Sequence, residues 1–179
     1  MRPVPEDPTL LPWRRLQEHL AGYFAARGLL AREFTLSSRD GEEFGRLRVY
    51  GPEGAEFESP NAKAAIERTA RSRYRMLTGD VETLVAEPAG SSGALKVRCG
   101  NHLYETRFDL LRNAATSRSS GGEEAARIVG RLTNLSYEAF FDAGDEGSLP
   151  VAVFLLYRIV ALRRRAFLAG ARGGEAPSP

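Results

Sequence analysis

The chain's 179 residues, 42% hydrophobic and 27% charged, have the composition of a folded protein long enough to bury one core without disulfides or a structural metal. A single cysteine, Cys99, and two histidines, His19 and His102, exclude a disulfide framework and a four-ligand zinc site. A formal net charge of +2 is not that of a dedicated nucleic-acid binder, yet every cation except Lys63 and Lys96 is arginine, whose planar fork suits phosphate, carboxylate and aromatic faces; a GC-rich genome gives the same bias.

Met1 to Pro8 carries Pro and Asp where a secretory apolar stretch would lie, so a cytoplasmic location is expected. Residues 1–32 read as a Pro-rich lead and an amphipathic helix. Trp13 stands at its start, Leu16, Leu20, Tyr23 and Phe24 recur at helical spacing, Leu29 and Leu30 follow, and Gly28 ends or kinks it. Such a stripe packs on the parent domain, receives a protein partner or lies on a membrane surface.

From Glu33 the period changes to two, the mark of half-buried antiparallel strands. Phe34 and Leu36 alternate with polar neighbours before the turn at Arg39-Asp40-Gly41, and Leu47 and Val49 before Gly51-Pro52-Glu53-Gly54. Residues 61–77 carry helix-forming composition but nearly clean parity: Ala64, Ile66, Ala70, Tyr74 and Met76 against Lys63, Glu67, Thr69, Arg71, Arg73 and Arg75. Strand is favoured over helix there, because β context overrides propensity. Leu95, Val97 and Cys99 share one face; Tyr104, Thr106, Phe108 and Leu110 form the next. Ala126, Ile128, Gly130 and Leu132 turn through Thr133-Asn134 into Tyr137, Ala139 and Phe141. Pro88 to Gly93 and Ser117 to Gly122 read as loops.

The run after Ser148 is a well-signed helix, with Ser148 as cap, Pro150 in its first turn, Asp145 and Glu146 ahead of it and Arg163, Arg164 and Arg165 behind. From Leu149 to Tyr157 it has no polar face, and at that length it is too short to span a bilayer, which needs about 18–20 apolar residues. Protein must therefore surround it. The expected fold is mainly β: a closed antiparallel barrel of about 10–12 strands around this helix, which also removes the exposed sheet edges. The barrel domain is expected over residues 33–168, its central helix over 148–168, and a disordered tail over 169–179. Arg158 is the awkward residue, since a buried arginine must reach the barrel mouth, snorkel, or meet a carboxylate.

This order of short strands, the acidic turn Phe141-Asp142-Ala143-Gly144-Asp145-Glu146-Gly147, and Ser148-Leu149-Pro150-Val151-Ala152 opening an apolar terminal helix resembles the tubby C-terminal-like superfamily, which includes tubby proteins, phospholipid scramblases and LURP-one-related proteins. The resemblance covers about Glu33 to Phe167, rests on architecture, and implies a closed barrel threaded by its terminal helix. It also implies docking of phosphoinositide headgroups on basic surface residues. Asp142, Asp145 and Glu146 occupy the place of the scramblases' calcium segment but lack its alternating acids, and they read as helix-start acids; no metal is expected.

On a strand, Arg71, Arg73 and Arg75 would project from one face about 7 Å apart, with Arg46 and Arg48 as a second rung. Such a stripe can hold phosphates of an anionic membrane surface or a phosphorylated ligand, unless neighbouring glutamates neutralise it. Nucleic acid ranks below both. Cys99 and His102 read as a buried thiol and a turn histidine. No nucleophile elbow, dinucleotide fingerprint or P-loop occurs. The expectation is a non-enzymatic binding or scaffold module without cofactor, peripheral at an anionic membrane, or alternatively a protein-interaction module using the N-terminal helix.

Overall fold

The computed structural model describes residues 6–30, 32–90 and 92–172. A 3-10 turn over Pro8–Leu10 leads into α1 (Leu11–Leu20), followed by β1 (Tyr23–Leu30), β2 (Glu33–Ser37), β3 (Glu43–Val49), β4 (Gly54–Glu58), β5 (Lys63–Ala70) and β6 (Arg73–Thr78). The second half comprises β7 (Val81–Pro88), β8 (Leu95–Cys99), β9 (His102–Asp109), β10 (Ala114–Ser119), β11 (Glu124–Gly130), β12 (Ser136–Phe141) and α2 (Ser148–Arg172). Each strand pairs antiparallel with its sequence neighbours, and β1 closes on β12, so the sheet has no free edge.

Inward positions alternate with outward ones along the strands, as the period of two requires. The space they enclose is filled by α2, whose residues from Ser148 to Ala161 are all buried. The helix therefore has no water-facing side over this length, which is why its sequence carries no polar face there. Among the described residues no helix is long and apolar enough to cross a membrane.

The β1–β2, β3–β4, β5–β6, β7–β8, β9–β10 and β11–β12 connections lie at one end of the barrel, where α2 emerges. The alternate connections lie at the other end, where α2 begins. That second end is plugged by α1. Its buried face of Trp13, Leu16 and Leu20, with Leu10 of the preceding turn, belongs to the same core as the barrel and α2. Trp13 stacks on Phe57 at 5.0 Å between ring centroids, and its Nε1 donates to Thr78 Oγ1 at 2.9 Å. Gln17 Nε2 donates to the Asp145 carbonyl at 2.6 Å, tying the plug to the start of α2. Trp13, Leu16, Leu20 and Phe24 of the expected apolar stripe are thus covered by the chain's own barrel.

Trp13→Ala is expected to cost about 3–5 kcal/mol of folding free energy, the range for emptying a fully buried large aromatic site. Urea denaturation followed by far-UV circular dichroism measures this; a loss below about 1 kcal/mol would show that the plug is peripheral to the core.

Several expectations need correction. The N-terminal helix ends at Leu20 rather than continuing to Leu30: Ala21 and Gly22 take positive φ values of 50° and 90°, stopping the helix, and Tyr23 to Leu30 forms β1. The barrel accordingly starts ahead of residue 33. Residues 61–77 are strand, but a hairpin rather than one strand, with Arg71 and Ser72 at its turn. Ser117 lies in β10 with its side chain inside, and Leu132 is a loop tip rather than an inward strand position. The helix persists to Arg172 across part of the expected tail; residues 173–179 and the lead at 1–5 lie outside the described residues.

Candidate functional site

The end of the barrel where α2 emerges is open and arginine-lined. A cleft of ≈ 620 Å³ lies there, walled by Arg68, Arg71 and Tyr74 of the β5–β6 hairpin and by Arg158, Leu162 and Arg165 of α2. The register explains the convergence. Arg68 stands directly opposite Tyr74 across β5 and β6, so the two side chains leave the sheet on the same, inward side. A register shift between Arg68 and Ala70 bends the strand at the rim, as bulges do. On α2, positions 158, 162 and 165 fall at spacings of three and four and form one helical face.

Arg158 is the unusual member. It is 9% exposed, and its guanidinium carbon lies 4.4 Å from the Tyr74 ring centroid and 5.8 Å from that of Tyr157. Tyr157 is itself fixed by donating its hydroxyl to the Pro52 carbonyl at 3.1 Å. Arg158 Nε is buried without a hydrogen-bond partner, and among the described residues no carboxylate reaches its guanidinium. Of the three routes open to a buried arginine, the structure uses the mouth, with aromatic faces where a carboxylate would serve. A desolvated cation on an aromatic face gains about 2 kcal/mol, less than the several kcal/mol that burying an ion costs. The charge is incompletely compensated.

Its neighbours add to the positive field. Among the described residues Arg71 and Arg165 have no ion pair, and Arg68 meets Glu53 at 3.5 Å, a glutamate whose side chain is largely exposed, and donates its Nε to the Ala70 carbonyl at 3.3 Å. The mouth can therefore accept an anion with several planar, bidentate donors.

The arginines expected from the sequence fare differently. Arg71 lies in the mouth. Arg46, Arg48, Arg73 and Arg75 lie on the outer wall, each engaged: Arg46 with Glu43 at 3.3 Å, Arg48 with Glu33 at 3.5 Å, Arg73 with Glu87 at 3.5 Å and Arg75 with Glu67 at 2.8 Å. Arg48–Glu33 and Arg75–Glu67 sit directly opposite across paired strands. The five do not form one stripe, because Arg71 stands at a turn and the rest face acids on their own or neighbouring strands. Sequence had singled out Arg158 as needing an explanation. It had no means of joining Arg158 to Arg68 and Arg165, since that depends on strand register and on where α2 emerges.

A larger cleft of ≈ 770 Å³ runs along the outer wall beside Lys96, Tyr104, Arg107 and Arg118, but its two arginines are partnered: Arg107 by Glu105 at 3.0 Å and Arg118 by the Gly122 carbonyl at 3.0 Å. The acidic turn before α2 is likewise self-contained. Asp142 Oδ1 accepts from the Gly144 amide at 2.9 Å, and Asp145 Oδ1 from the Gly147 amide at 3.0 Å and the Tyr104 hydroxyl at 2.6 Å. Among the described residues no cluster of His, Cys, Asp and Glu has the makings of a metal site. Cys99 is buried on the inner face of β8, and burial pushes its thiol well above the ordinary range, opposite to what a nucleophile needs.

Comparison with known proteins returns a fold. No protein-family model matches the chain, and no curated protein matches it significantly. Among solved structures, an Arabidopsis thaliana protein known by crystallography superimposes with a TM-score of 0.57 at 9% sequence identity, over 87% of this chain and 99% of that one. This likeness is one of fold alone. A closed barrel of twelve strands with its terminal helix inside fits a tubby-like architecture.

Proposed function

We propose that the chain is a non-enzymatic binding module of tubby-like build that holds a phosphate-bearing ligand in the arginine-lined mouth around α2. The observation carrying this reading is Arg158, a buried guanidinium with an orphaned Nε and no carboxylate among the described residues. A fold that keeps such a charge without a carboxylate among its described residues is suited to an anion from outside it. Phosphate fits best: its geminal oxygens match the guanidinium fork, and Arg68, Arg71 and Arg165 can share its charge.

The outer-wall arginines contribute little to this reading. Exposed pairs of their kind are worth about 0–1 kcal/mol, so they can be broken by a ligand, but nothing distinguishes them from an ordinary neutralised barrel surface.

Isothermal titration with inorganic pyrophosphate and with inositol trisphosphate tests the proposal. Binding is expected to be lost in Arg158→Met, weakened in Arg71→Ala, and retained in the double variant Arg73→Ala/Arg75→Ala. Absence of binding by the unmodified chain, or binding indifferent to Arg158, would refute it.

A further inference from the structure

The two ends of the barrel carry opposite charge. The turns at the plugged end hold Asp40, Glu42, Asp80 and Glu123 against Arg39, and the turn into α2 adds Asp142, Asp145 and Glu146. The plug does little to offset them, because Arg14 is already held by Glu6 at 2.7 Å and by Glu18 at 3.4 Å. The turns at the open end hold Arg32, Arg71, Arg112 and Arg131 against Glu53, and α2 adds Arg163, Arg164 and Arg165 as it leaves the barrel. Of these, Arg112 meets Asp109 at 3.7 Å in an exposed pair that another carboxylate can replace. The molecule is an electrical dipole along its axis.

Both poles also expose apolar side chains beside their charges. At the open end Leu111 in the β9–β10 turn and Leu132 in the β11–β12 turn are each 97% exposed, and Phe167 and Leu168 of the emerging helix are largely exposed. At the plugged end Leu11 opens α1, Val81 follows the β6–β7 turn and Leu103 follows the β8–β9 turn, all of them exposed. The open-end tips are braced. Arg163 Nη1 donates to the Leu110 carbonyl at 2.6 Å and its Nε to Asn134 Oδ1 at 3.0 Å. Asn113 Nδ2 donates to the Arg131 carbonyl at 2.9 Å and to Asn134 Oδ1 at 3.2 Å. The plugged end is fixed by the bonds from Gln17 to Asp145 and from Trp13 to Thr78. Two such pre-organised surfaces lose little conformational freedom on meeting.

We infer that the chain associates with copies of itself head to tail, the basic open end of one copy seating on the acidic plugged end of the next. An anionic partner of any other kind matches only the open end and leaves the exposed leucines and valine among the acids of the plugged end unmatched. A second copy matches both poles, in charge and in apolar surface. Mouth-to-mouth pairing would bury Leu111 and Leu132 equally well but would set arginine against arginine, and like charges juxtaposed across an interface are costly. The two surfaces lie at opposite ends of one axis, so the contact is heterologous. Each added copy presents a fresh open end or a fresh plugged end, and the product is an open chain rather than a closed dimer. The attracting charges are exposed, so salt weakens the contact by screening them. The phosphate-bearing ligand of the mouth plays no part in this contact.

Sedimentation velocity of the full chain over a concentration series tests this. At low ionic strength the sedimentation coefficient of the unmodified chain is expected to keep rising with concentration past that of a dimer, and high salt should weaken the association about tenfold or more. Leu111→Ser/Leu132→Ser disables the open end and Asp80→Lys/Glu123→Lys the plugged end; all four positions are exposed. Each double variant alone should stay monomeric where the unmodified chain assembles. Mixed, the two should form a one-to-one complex and nothing larger, because one supplies an intact plugged end and the other an intact open end; that restoration also shows both to be folded. Arg158→Met should associate as the unmodified chain does, which separates this contact from the ligand of the mouth. Three results would overturn the inference: an unmodified chain that stays monomeric, whether or not it binds anionic vesicles; a plugged-end variant that still dimerises alone, which would make the contact mouth to mouth; or a mixture of the two variants that stays monomeric.

Discussion

Phe154→Asp is expected to leave the chain unfolded at every accessible temperature. Phe154 is fully buried near the middle of the enclosed stretch of α2, its ring 5.9 Å from that of Tyr74 and 6.3 Å from that of Tyr157. Removing the ring costs about 3–5 kcal/mol through lost transfer energy and the cavity left behind. A carboxylate in its place would be desolvated on every side, adding several kcal/mol or forcing protonation. Together these approach or exceed the roughly 5–15 kcal/mol that holds a typical domain together. Phe154→Leu keeps the apolar character and should remain folded with a modest loss. Circular dichroism and one-dimensional NMR of the two variants distinguish the cases. A folded, dispersed spectrum for Phe154→Asp would mean that α2 is not the centre of the core.

Arg158→Met is expected to melt higher than the unmodified protein while losing its ligand. Methionine retains the apolar stem along Tyr74 and Tyr157 and removes an ion that has no carboxylate beside it among the described residues. The gain from the aromatic faces, about 2 kcal/mol, falls short of the desolvation cost, so the exchange should stabilise by about 1–3 kcal/mol. For a chain of this length that is several degrees in Tm. Stability and binding then move in opposite directions at one residue, the trade-off of a site held ready for a ligand. Were Arg158 a structural arginine satisfied by its stacking, methionine would lower Tm. Differential scanning calorimetry of the two proteins, without ligand and at one ionic strength, reads the sign directly.

The barrel and its filling were legible because they depend on local pattern. A period of two marks strand faces wherever one side is buried, and the apolar circumference of Leu149 to Leu162 requires a complete surround. Pattern failed where two periods agree. Leu20, Tyr23 and Phe24 satisfy helical spacing, while Phe24 and Ala26 satisfy strand alternation equally well; the left-handed backbone at Ala21 and Gly22 decides between them. Parity also runs through turns without notice. It carried Arg71 into line with Arg73 and Arg75, and Leu132 into line with Ile128, though each stands at a chain reversal.

The mouth was illegible for a different reason. Whether an arginine on a strand is free or neutralised depends on which residue the register places opposite. Arg75 faces Glu67 and Arg48 faces Glu33, pairings set by turn lengths and bulges rather than by composition. Arg68, Arg158 and Arg165 come from elements far apart in sequence, and only the exit point of α2 unites them. The sole trace in the sequence was the conflict at Arg158, a charge in a helix that had to be buried. Such local contradictions are where function is most often found.

A nitrogen-15 correlation spectrum of the arginine Nε–H groups, recorded during titration with pyrophosphate, addresses the central claim most directly. The Arg158 resonance should be sharp, slowly exchanging and the first to shift, followed by those of Arg68, Arg71 and Arg165. Movement of the Arg46, Arg48, Arg73 and Arg75 resonances, with that of Arg158 stationary, would contradict the account and return the binding surface to the outer wall.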